Sequence, residues 1–269
     1  MNPHFYFSYF GCKSDEIKYI QSYVEKVINT TKTVVEPFCG SCSFSLKLHC
    51  DFKNKKLKYH INDIDPQLTN FLNQVKKDNG IIKFYEYAKK EFNEKEKDKD
   101  IRSYFNRMKR EDNENSYKYF LYMRTTSIPY HMKDRFNTFF KMYENNEYKC
   151  TDHFFCLKNT KITDEDYKVL FDMYKDDENA LLFLDPPYFD SYNMEYTLKG
   201  KDEKIVFDNT VIFIDIWKLL KDAKCKIICI LGKNAVMEHI FKDYIVGEYD
   251  KVYQMKKRIT KHIIITNIK

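Results

Sequence analysis

The feature that most limits how this chain can fold is a short apolar run, Ala180 to Leu184, that leads directly into Asp185-Pro186-Pro187-Tyr188. An uninterrupted apolar run of this length predicts a strand buried on both faces, as the inner strands of a parallel sheet are. Two successive prolines stop the strand, because proline has no amide hydrogen to donate to a neighbouring strand. We therefore predict a central strand whose carboxyl end is left open.

Helices and strands alternate on both sides of this strand. Apolar spacing and turn residues predict helices over residues 14–29, 43–49, 65–78, 210–222 and 234–244, and strands over residues 33–35, 58–62, 226–231, 248–255 and 262–268. This alternation is typical of an α/β protein with a parallel sheet. With 269 residues, of which 43% are hydrophobic, the chain can bury a substantial core.

Residues 79–160 break the alternation. Residues 89–100 are a run of mixed charges, and residues 104–130 combine aromatic side chains with Arg and Lys. We predict that residues 79–160 are a mainly helical insert within a domain formed by residues 1–78 and 161–269. The net charge of +6 permits a polyanionic partner without establishing one.

The Asp-Pro-Pro-Tyr segment is suited to holding an aromatic amine. Such an amine is a weak nucleophile, because its lone pair is delocalised into the ring. The Asp185 carboxylate and the Pro186 carbonyl can accept hydrogen bonds from its two N–H groups and turn the lone pair towards an electrophile. The Tyr188 ring can then stack on the base. The alternative is an ordinary turn after a strand, with Asp185 as a cap.

Two further segments follow predicted strands. Val35 to Cys42 is a strand-to-helix turn around Gly40, where small residues let a ligand approach the backbone. Asp63 comes about 20 residues later, where nucleotide-binding folds place an acid against a ribose hydroxyl. Each segment also has a plainer interpretation: the first is an ordinary turn, and in the second Asp63 or Asp65 only caps the next helix.

Taken in order, four segments resemble the signature of Dam-type DNA adenine-N6 methyltransferases: Tyr9-Phe10-Gly11-Cys12-Lys13, Val35 to Gly40, Asn62 to Asp65, and Asp185 to Tyr188. Phe120 to Arg124 and Arg135-Phe136-Asn137 are similar to that family's aromatic helix and Arg-aromatic-Asn element. The resemblance spans nearly the whole chain. It implies a Rossmann-like, S-adenosylmethionine-dependent methyltransferase sheet, with residues 79–160 as the target-recognition domain.

The resemblance also implies roles for individual residues. S-adenosylmethionine would be bound by Tyr9, Lys13, Phe38, Gly40, Asp63 and Asp185. Catalysis would fall to Asp185, Pro186, Pro187 and Tyr188. DNA would be contacted by Arg124, Lys133, Arg135 and Asn137, of which Arg135 and Asn137 can read base edges. The implied reaction is methyl transfer, without a metal, to N6 of an adenine flipped out of duplex DNA.

Three positions depart from the family's pattern. Cys12 stands in place of the second glycine before Lys13, Cys42 replaces the second glycine of the Gly40 loop, and no Phe-Asn-x-Pro sequence follows Asn137. The two cysteines leave open a catalytically degenerate chain that serves as a DNA-binding module. An adenine-N6 methyltransferase that acts on RNA is a further alternative.

The cysteines allow two other interpretations. Cys39-Gly-Ser-Cys42 resembles a redox pair at a strand-to-helix turn. Zinc is conceivable at two sets of residues, neither with two well-spaced ligand pairs: Cys39, Cys42, His49 and Cys50, or Cys150, His153 and Cys156. Because no membrane-spanning run and no secretion signal is evident, we expect a soluble intracellular protein with reduced thiols. The oligomeric state is left open.

Overall fold

The structure, a computed structural model, describes residues 13, 16–95, 115–127, 144, 154, 159–187, 198–199, 204–205, 209–253 and 258–269. The strands are β1 Thr33–Glu36, β2 Lys58–Asn62, β3 Thr160–Thr163, β4 Ala180–Leu184, β5 Leu198–Lys199, β6 Lys204–Ile205, β7 Lys226–Gly232, β8 Ile245–Tyr253 and β9 Arg258–Thr266. The helices are α1 Gln21–Val27, α2 Ser43–Asp51, α3 Pro66–Lys77, α4 Ile82–Lys95, α5 Ser116–Ser127, α6 Tyr167–Tyr174, α7 Asn209–Asp222 and α8 Ala235–Phe241.

Seven of these strands form one sheet in the order β3-β2-β1-β4-β7-β9-β8, and β5 pairs with β6. The pairs β1–β4, β4–β7 and β2–β3 are parallel, as the alternation of helices and strands predicts. Strand β9 runs antiparallel to both of its neighbours, β7 and β8. The predicted Rossmann-like α/β sheet is therefore confirmed, with one reversed strand near its end.

The predicted central strand, β4, is buried along its whole length. Leu182 at its middle lies opposite Val35 of β1 on one side and Ile227 of β7 on the other. A strand with neighbours on both edges and helices on its faces needs apolar residues at every position, which explains the uninterrupted run. The strand ends at Leu184, one residue before Asp185.

Contacts divide the chain into two compact units: unit 1 is Met1–Asp15 with Cys39–Asp164, and unit 2 is Glu16–Phe38 with Glu165–Lys269. The core of unit 2 is mainly aliphatic, and Ile216 of α7 and Ile227 of β7 are completely buried in it. Unit 2 also buries Glu16, whose carboxylate lies 2.9 Å from His262 Nδ1 and accepts hydrogen bonds from Tyr249 and Lys251. These partners tie Glu16 to the β8–β9 hairpin.

Unit 1 has an aromatic core between three helices. Phe71 of α3 lies 5.1 Å from Phe84 of α4 and 5.7 Å from Phe120 of α5, measured between ring centroids. All three rings are almost fully buried. Aromatic rings at these separations add attraction beyond the burial of their surface, so α4 and α5 pack firmly on α3. The boundaries of the insert at residues 79–160 stay a prediction.

Some local features differ from the sequence-based expectation. In place of a helix over residues 14–29, a 3-10 turn at Ile17–Tyr19 precedes the short helix α1. Strand β3 and helix α6 were not predicted. Cys50 is in a disulfide, so the expectation of reduced thiols is wrong for it, whereas Cys39, Cys42, Cys225 and Cys229 are free. No helix in the described part of the chain is long and apolar enough to cross a membrane.

Candidate functional site

The Gly40 turn is held in a conformation that few residues adopt. The Cys42 amide donates to the Cys39 carbonyl over 2.7 Å, which closes a tight turn before α2. Gly40 has a φ of 46° and Cys42 a φ of 56°, both in the left-handed region. Glycine enters that region without a steric cost, whereas the Cβ of a residue such as cysteine is crowded there. The turn therefore keeps the shape of a glycine loop even where Cys42 replaces the expected glycine.

Asp63 is bonded directly to this turn. The Gly40 amide donates to Asp63 Oδ2 over 2.9 Å, and the Asp65 amide donates to Asp63 Oδ1 over 3.1 Å. Burial raises the pKa of Asp63 to about 6, although the hydrogen bonds from the Gly40, Ile64 and Asp65 amides act in the opposite direction. Asp63 and Gly40, which the sequence places about 20 residues apart, are therefore in contact within unit 1.

The two aspartates after β2 have separate tasks. Asp65 Oδ1 accepts a hydrogen bond of 2.9 Å from the Gln67 amide, so Asp65 is the N-cap of α3, with Pro66 at the first helical position. Burial raises the pKa of Asp65 as well. Asp65 therefore caps the next helix, which is the plainer interpretation of this segment. The Asp63 carboxylate instead accepts a hydrogen bond from the Gly40 turn.

Asp63 fits a ligand that carries hydroxyl groups. An ionised carboxylate offers about four acceptor positions. Amides of Gly40, Ile64 and Asp65 bond to it, which leaves capacity for a hydrogen bond from outside the loop. The ribose of S-adenosylmethionine presents such donors, so the residues present fit that group.

In unit 2, Asp185 and Phe38 follow two paired parallel strands. Asp185 comes directly after β4, and Phe38 comes two residues after the end of β1, so both lie at the carboxyl edge where α/β folds bind ligands. Asp185 is half-buried and Pro186 is buried. Since Pro186 and Pro187 have no amide hydrogen, neither can donate to the Asp185 carboxylate.

The Phe38 ring packs against helix α6 of unit 2. Its ring lies 5.3 Å from the ring of Tyr167 on α6, and the Tyr167 hydroxyl donates to Asp215 on α7 over 2.9 Å. Burial, together with the Asp215 carboxylate, raises the pKa of Tyr167 above its usual range. The tyrosine is therefore neutral and keeps the proton with which it bonds Asp215. This contact gives the half-buried Phe38 ring a fixed position beside the end of β1.

The remaining predicted site residues are only partly covered by the structure. Lys13 is described and is buried, at 2% exposure. Arg124 belongs to helix α5, and Pro187 follows β4 as predicted. The others lie outside the described residues: Tyr9, Tyr188, Lys133, Arg135 and Asn137. All the roles assigned to these residues stay predictions.

The two cysteines of the turn are buried thiols. Cys39 is 4% exposed and Cys42 is fully buried, and neither is in a disulfide. Their Sγ atoms lie 3.8 and 4.0 Å from the Gly40 carbonyl oxygen. In the part of the chain that the structure describes, no group of three or more His, Cys, Asp or Glu residues is arranged to hold a metal ion. The pair packs as small core side chains that line the turn.

Strand β3 contributes residues that sequence reasoning missed. Thr163 at its end bonds to Asn62 and Asp63 of the neighbouring strand end, and His60 of β2 bonds to Thr163. The signal in the sequence is the run Thr160-Lys161-Ile162-Thr163, in which the two Thr and the Ile are β-branched and favour a strand. The run is short and begins at the last residue of the predicted insert, so its signal is weak.

Comparison with known proteins gives matches along almost the whole chain. A model of the D12 class N6 adenine-specific DNA methyltransferase family matches residues 9–256. The chain is 26% identical over 276 residues to the type II methyltransferase M.CviBI of Paramecium bursaria Chlorella virus NC1A, and the alignment covers 96% of each protein.

Among solved structures, similar chains come from several methyltransferases. The protein lmo1582 of Listeria monocytogenes, described as a class I S-adenosylmethionine-dependent methyltransferase, gives a TM-score of 0.40 at 10% identity. The match covers 94% of this chain and 59% of that one. The N-terminal domain of human METTL16 gives a TM-score of 0.37 at 9% identity, with coverage of 94% and 69%.

Proposed function

Because the chain belongs to the D12 class N6 adenine-specific DNA methyltransferase family, and so methylates adenine in DNA with S-adenosylmethionine, we propose that it does so with the three segments described above. Asp63 and the Gly40 turn hold the ribose end of S-adenosylmethionine, Phe38 lines its pocket, and Tyr9 and Lys13 contact it. Asp185 and Pro186 hold the amino group of the target adenine. Tyr188 stacks on the base.

The observation that carries this assignment is the hydrogen bond from the Gly40 amide to Asp63 Oδ2, 2.9 Å long. It links the tight turn after β1, where a ligand can approach the backbone, to the acid after β2, at the place where nucleotide-binding folds bind a ribose hydroxyl. An acid that only capped a helix would accept from that helix's own amides, as Asp65 Oδ1 does from the Gln67 amide.

When bound, S-adenosylmethionine supplies an electrophilic methyl group. The chain has to make N6 of adenine nucleophilic, because the lone pair of N6 is delocalised into the purine. The Asp185 carboxylate and the Pro186 carbonyl accept the two N6 hydrogens and favour a pyramidal nitrogen. Once N6 has gained the methyl group it carries one proton in excess. The Asp185 carboxylate, already an acceptor for an N6 hydrogen, takes that proton.

The target is an adenine flipped out of duplex DNA within a fixed sequence. Flipping costs a few kcal/mol, which stacking and phosphate contacts must offset. Arg124 is assigned to DNA and Lys133 to a phosphate, whereas Arg135 and Asn137 are assigned to the recognised sequence, with Arg suited to guanine and Asn to adenine. The viral relative is named a type II methyltransferase, which supports action at a defined site. A DNA substrate also supports an intracellular place of action.

The test is expression of the full chain in a host without adenine methylation, followed by sequencing with modified-base detection. We expect N6-methyladenine at one short recurring sequence, and far less of it with Asp185→Ala. Methylation spread over unrelated sequences would contradict the site-specific function. Purified protein that methylates RNA but leaves duplex DNA unmodified would favour the RNA alternative.

A further inference from the structure

Thr163, the last residue of β3, makes three hydrogen bonds beside Asp63. Its carbonyl oxygen accepts from the Asp63 amide over 3.2 Å. Its hydroxyl donates to Asn62 Oδ1 over 2.7 Å, and the same hydroxyl oxygen lies 2.9 Å from His60 Nε2. His60 and Asn62 are almost fully buried, at 2% and 1% exposure. One threonine therefore joins a buried imidazole, a buried amide and the backbone of the predicted ribose-binding residue.

The direction of these hydrogen bonds can be assigned. Burial, with a smaller contribution from the charge of Lys161, lowers the pKa of His60 to about 4, so the imidazole is neutral at pH 7 and carries one proton. The Thr163 hydroxyl has one hydrogen, which it donates to Asn62. His60 must then hold its proton on Nε2 and donate it to Thr163 Oγ1. The chain of donors runs from His60 through Thr163 to Asn62.

Hydrogen bonds also join Asn62 and Asp63 to the Gly40 turn. The Asn62 carbonyl accepts from the Cys39 amide over 2.8 Å, at the first residue of the turn. One residue later, the Gly40 amide donates to Asp63 Oδ2 over 2.9 Å. Thr163 is thus bonded to both residues, Asn62 and Asp63, on which the turn rests.

We propose that Thr163 is a positioning residue for S-adenosylmethionine binding, acting through Asn62 and Asp63. This inference rests on the proposed function, in which Asp63 and the Gly40 turn hold the ribose. Thr163 itself touches neither the methyl donor nor the adenine. Its hydroxyl fixes the Asn62 side chain and its carbonyl fixes the Asp63 backbone, so that the Asp63 carboxylate and the Gly40 amide keep one arrangement before the ligand arrives.

Thr163→Val is the informative substitution, because valine has nearly the same shape and lacks the hydroxyl. It removes one partner each from His60 Nε2 and Asn62 Oδ1, and buried polar groups that lose a partner rearrange to recover one. We expect the dissociation constant for S-adenosylmethionine to rise about tenfold. The turnover rate at saturating S-adenosylmethionine should stay unchanged, because Asp185 is not involved.

Thr160→Val is the matched control. Thr160 lies on the same strand and is more deeply buried than Thr163, and its hydroxyl donates to the Phe154 carbonyl over 3.2 Å. We expect it to lower the melting temperature without a change in the dissociation constant. Thr163→Ser keeps the hydroxyl and should restore binding. Calorimetric titration with S-adenosylmethionine, thermal melting and saturation kinetics of the full chain measure these quantities.

Equal weakening of binding by Thr160→Val and Thr163→Val would overturn the proposal, because it would reduce Thr163 to a general structural role. So would wild-type binding by Thr163→Val, or a failure of Thr163→Ser to restore it. Asp63→Ala, measured alongside, distinguishes failure of this inference from failure of the proposed ribose site. If Asp63→Ala weakens binding and Thr163→Val does not, only this inference fails. If Asp63→Ala binds as the wild type does, the proposed ribose site fails, and this inference fails with it.

Discussion

Asp63 and Asp185 both come directly after a strand of the sheet, yet their surroundings differ. Two residues after Asp63 comes Asp65, whose amide donates to the Asp63 carboxylate over 3.1 Å. Asp185 is followed by Pro186 and Pro187, and neither proline has an amide hydrogen. The turn that fixes Asp63 through its own backbone therefore cannot form at Asp185.

The difference teaches how sequence sets the use of a carboxylate. Amide donors lock Asp63 into its loop, so it acts as a fixed part of a binding surface. At Asp185 the prolines remove the local donors and make the backbone rigid, so the hydrogen bonds of its carboxylate must come from elsewhere in the fold or from a substrate. An amine that has to be gripped during a reaction needs an acceptor of the second kind.

The largest expected effect tests whether the Asp185 carboxylate grips the target amine. Asp185→Ala removes an acceptor for the amino group and should lower the rate of methyl transfer about 10²–10³-fold, measured with tritiated S-adenosylmethionine. Asp177→Ala is the control, because Asp177 precedes the same strand and bonds to the Asn179 amide over 2.9 Å. Asp177→Ala should leave the rate unchanged. Wild-type methyl transfer by Asp185→Ala would contradict the mechanism.

The next effect concerns the charge of Asp63. Asp63→Asn removes a charged acceptor and should weaken S-adenosylmethionine binding about tenfold to a hundredfold at pH 7. Because the pKa of Asp63 is raised to about 6, the wild-type carboxylate becomes protonated below that pH and loses acceptor capacity. Calorimetric titration between pH 7 and pH 5 should show wild-type affinity falling about tenfold per unit below the pKa. Asp63→Asn should show no such dependence.

The same raised pKa has a consequence of known sign for stability. The folded chain holds the Asp63 proton more tightly than the unfolded chain does, so the contribution of this group to the free energy of unfolding is greatest at low pH. It decreases as the pH rises towards about 6 and is constant above that.

A wild-type affinity for S-adenosylmethionine that stays constant from pH 7 to pH 5 would show that the charge of Asp63 has no part in binding.

A smaller effect sharpens the comparison by making Asp63 resemble Asp185. Asp65 has a φ of −79°, close to the value proline requires, so Asp65→Pro removes the amide that bonds to Asp63 and creates two successive prolines. We expect S-adenosylmethionine affinity to fall about threefold to tenfold at pH 7. Asp65→Ala keeps the amide and should lose only the helix cap, at a cost of about 1 kcal/mol in stability. Equal affinities for both variants would show that this amide does not position Asp63.

The smallest effect tests the turn that supplies the Gly40 amide. Cys42 adopts a left-handed conformation, with a φ of 56°. Cys42→Gly and Cys42→Ala both remove the thiol, so their difference isolates the backbone cost. The glycine variant should be the more stable by about 1 kcal/mol, measured by denaturant unfolding. In a helix interior the order would be the reverse, so a more stable alanine variant would contradict the left-handed turn.

Much of the sheet and of the Asp63 and Asp185 segments follows from local sequence. Apolar runs such as β4, with proline and glycine at their ends, are signals that lie within a few residues of what they specify. Glu16 shows what such signals miss, because its partners Tyr249, Lys251 and His262 are far along the chain. Thr163 was missed for the same reason: its role depends on Asn62 and His60 of another strand. Cys42 likewise belongs to a turn that is bonded to Asn62 and Asp63, at the end of another strand.

The position of β9 has a consequence for when the protein can begin to work. A ribosome makes β7 and β8 first, yet β8 joins the sheet through β9, which is made last of the three. A nascent chain that has not reached residues 258–266 cannot complete this part of unit 2. DNA modification by this chain should therefore start only after translation has passed that strand, and premature termination before it should yield no active fragment.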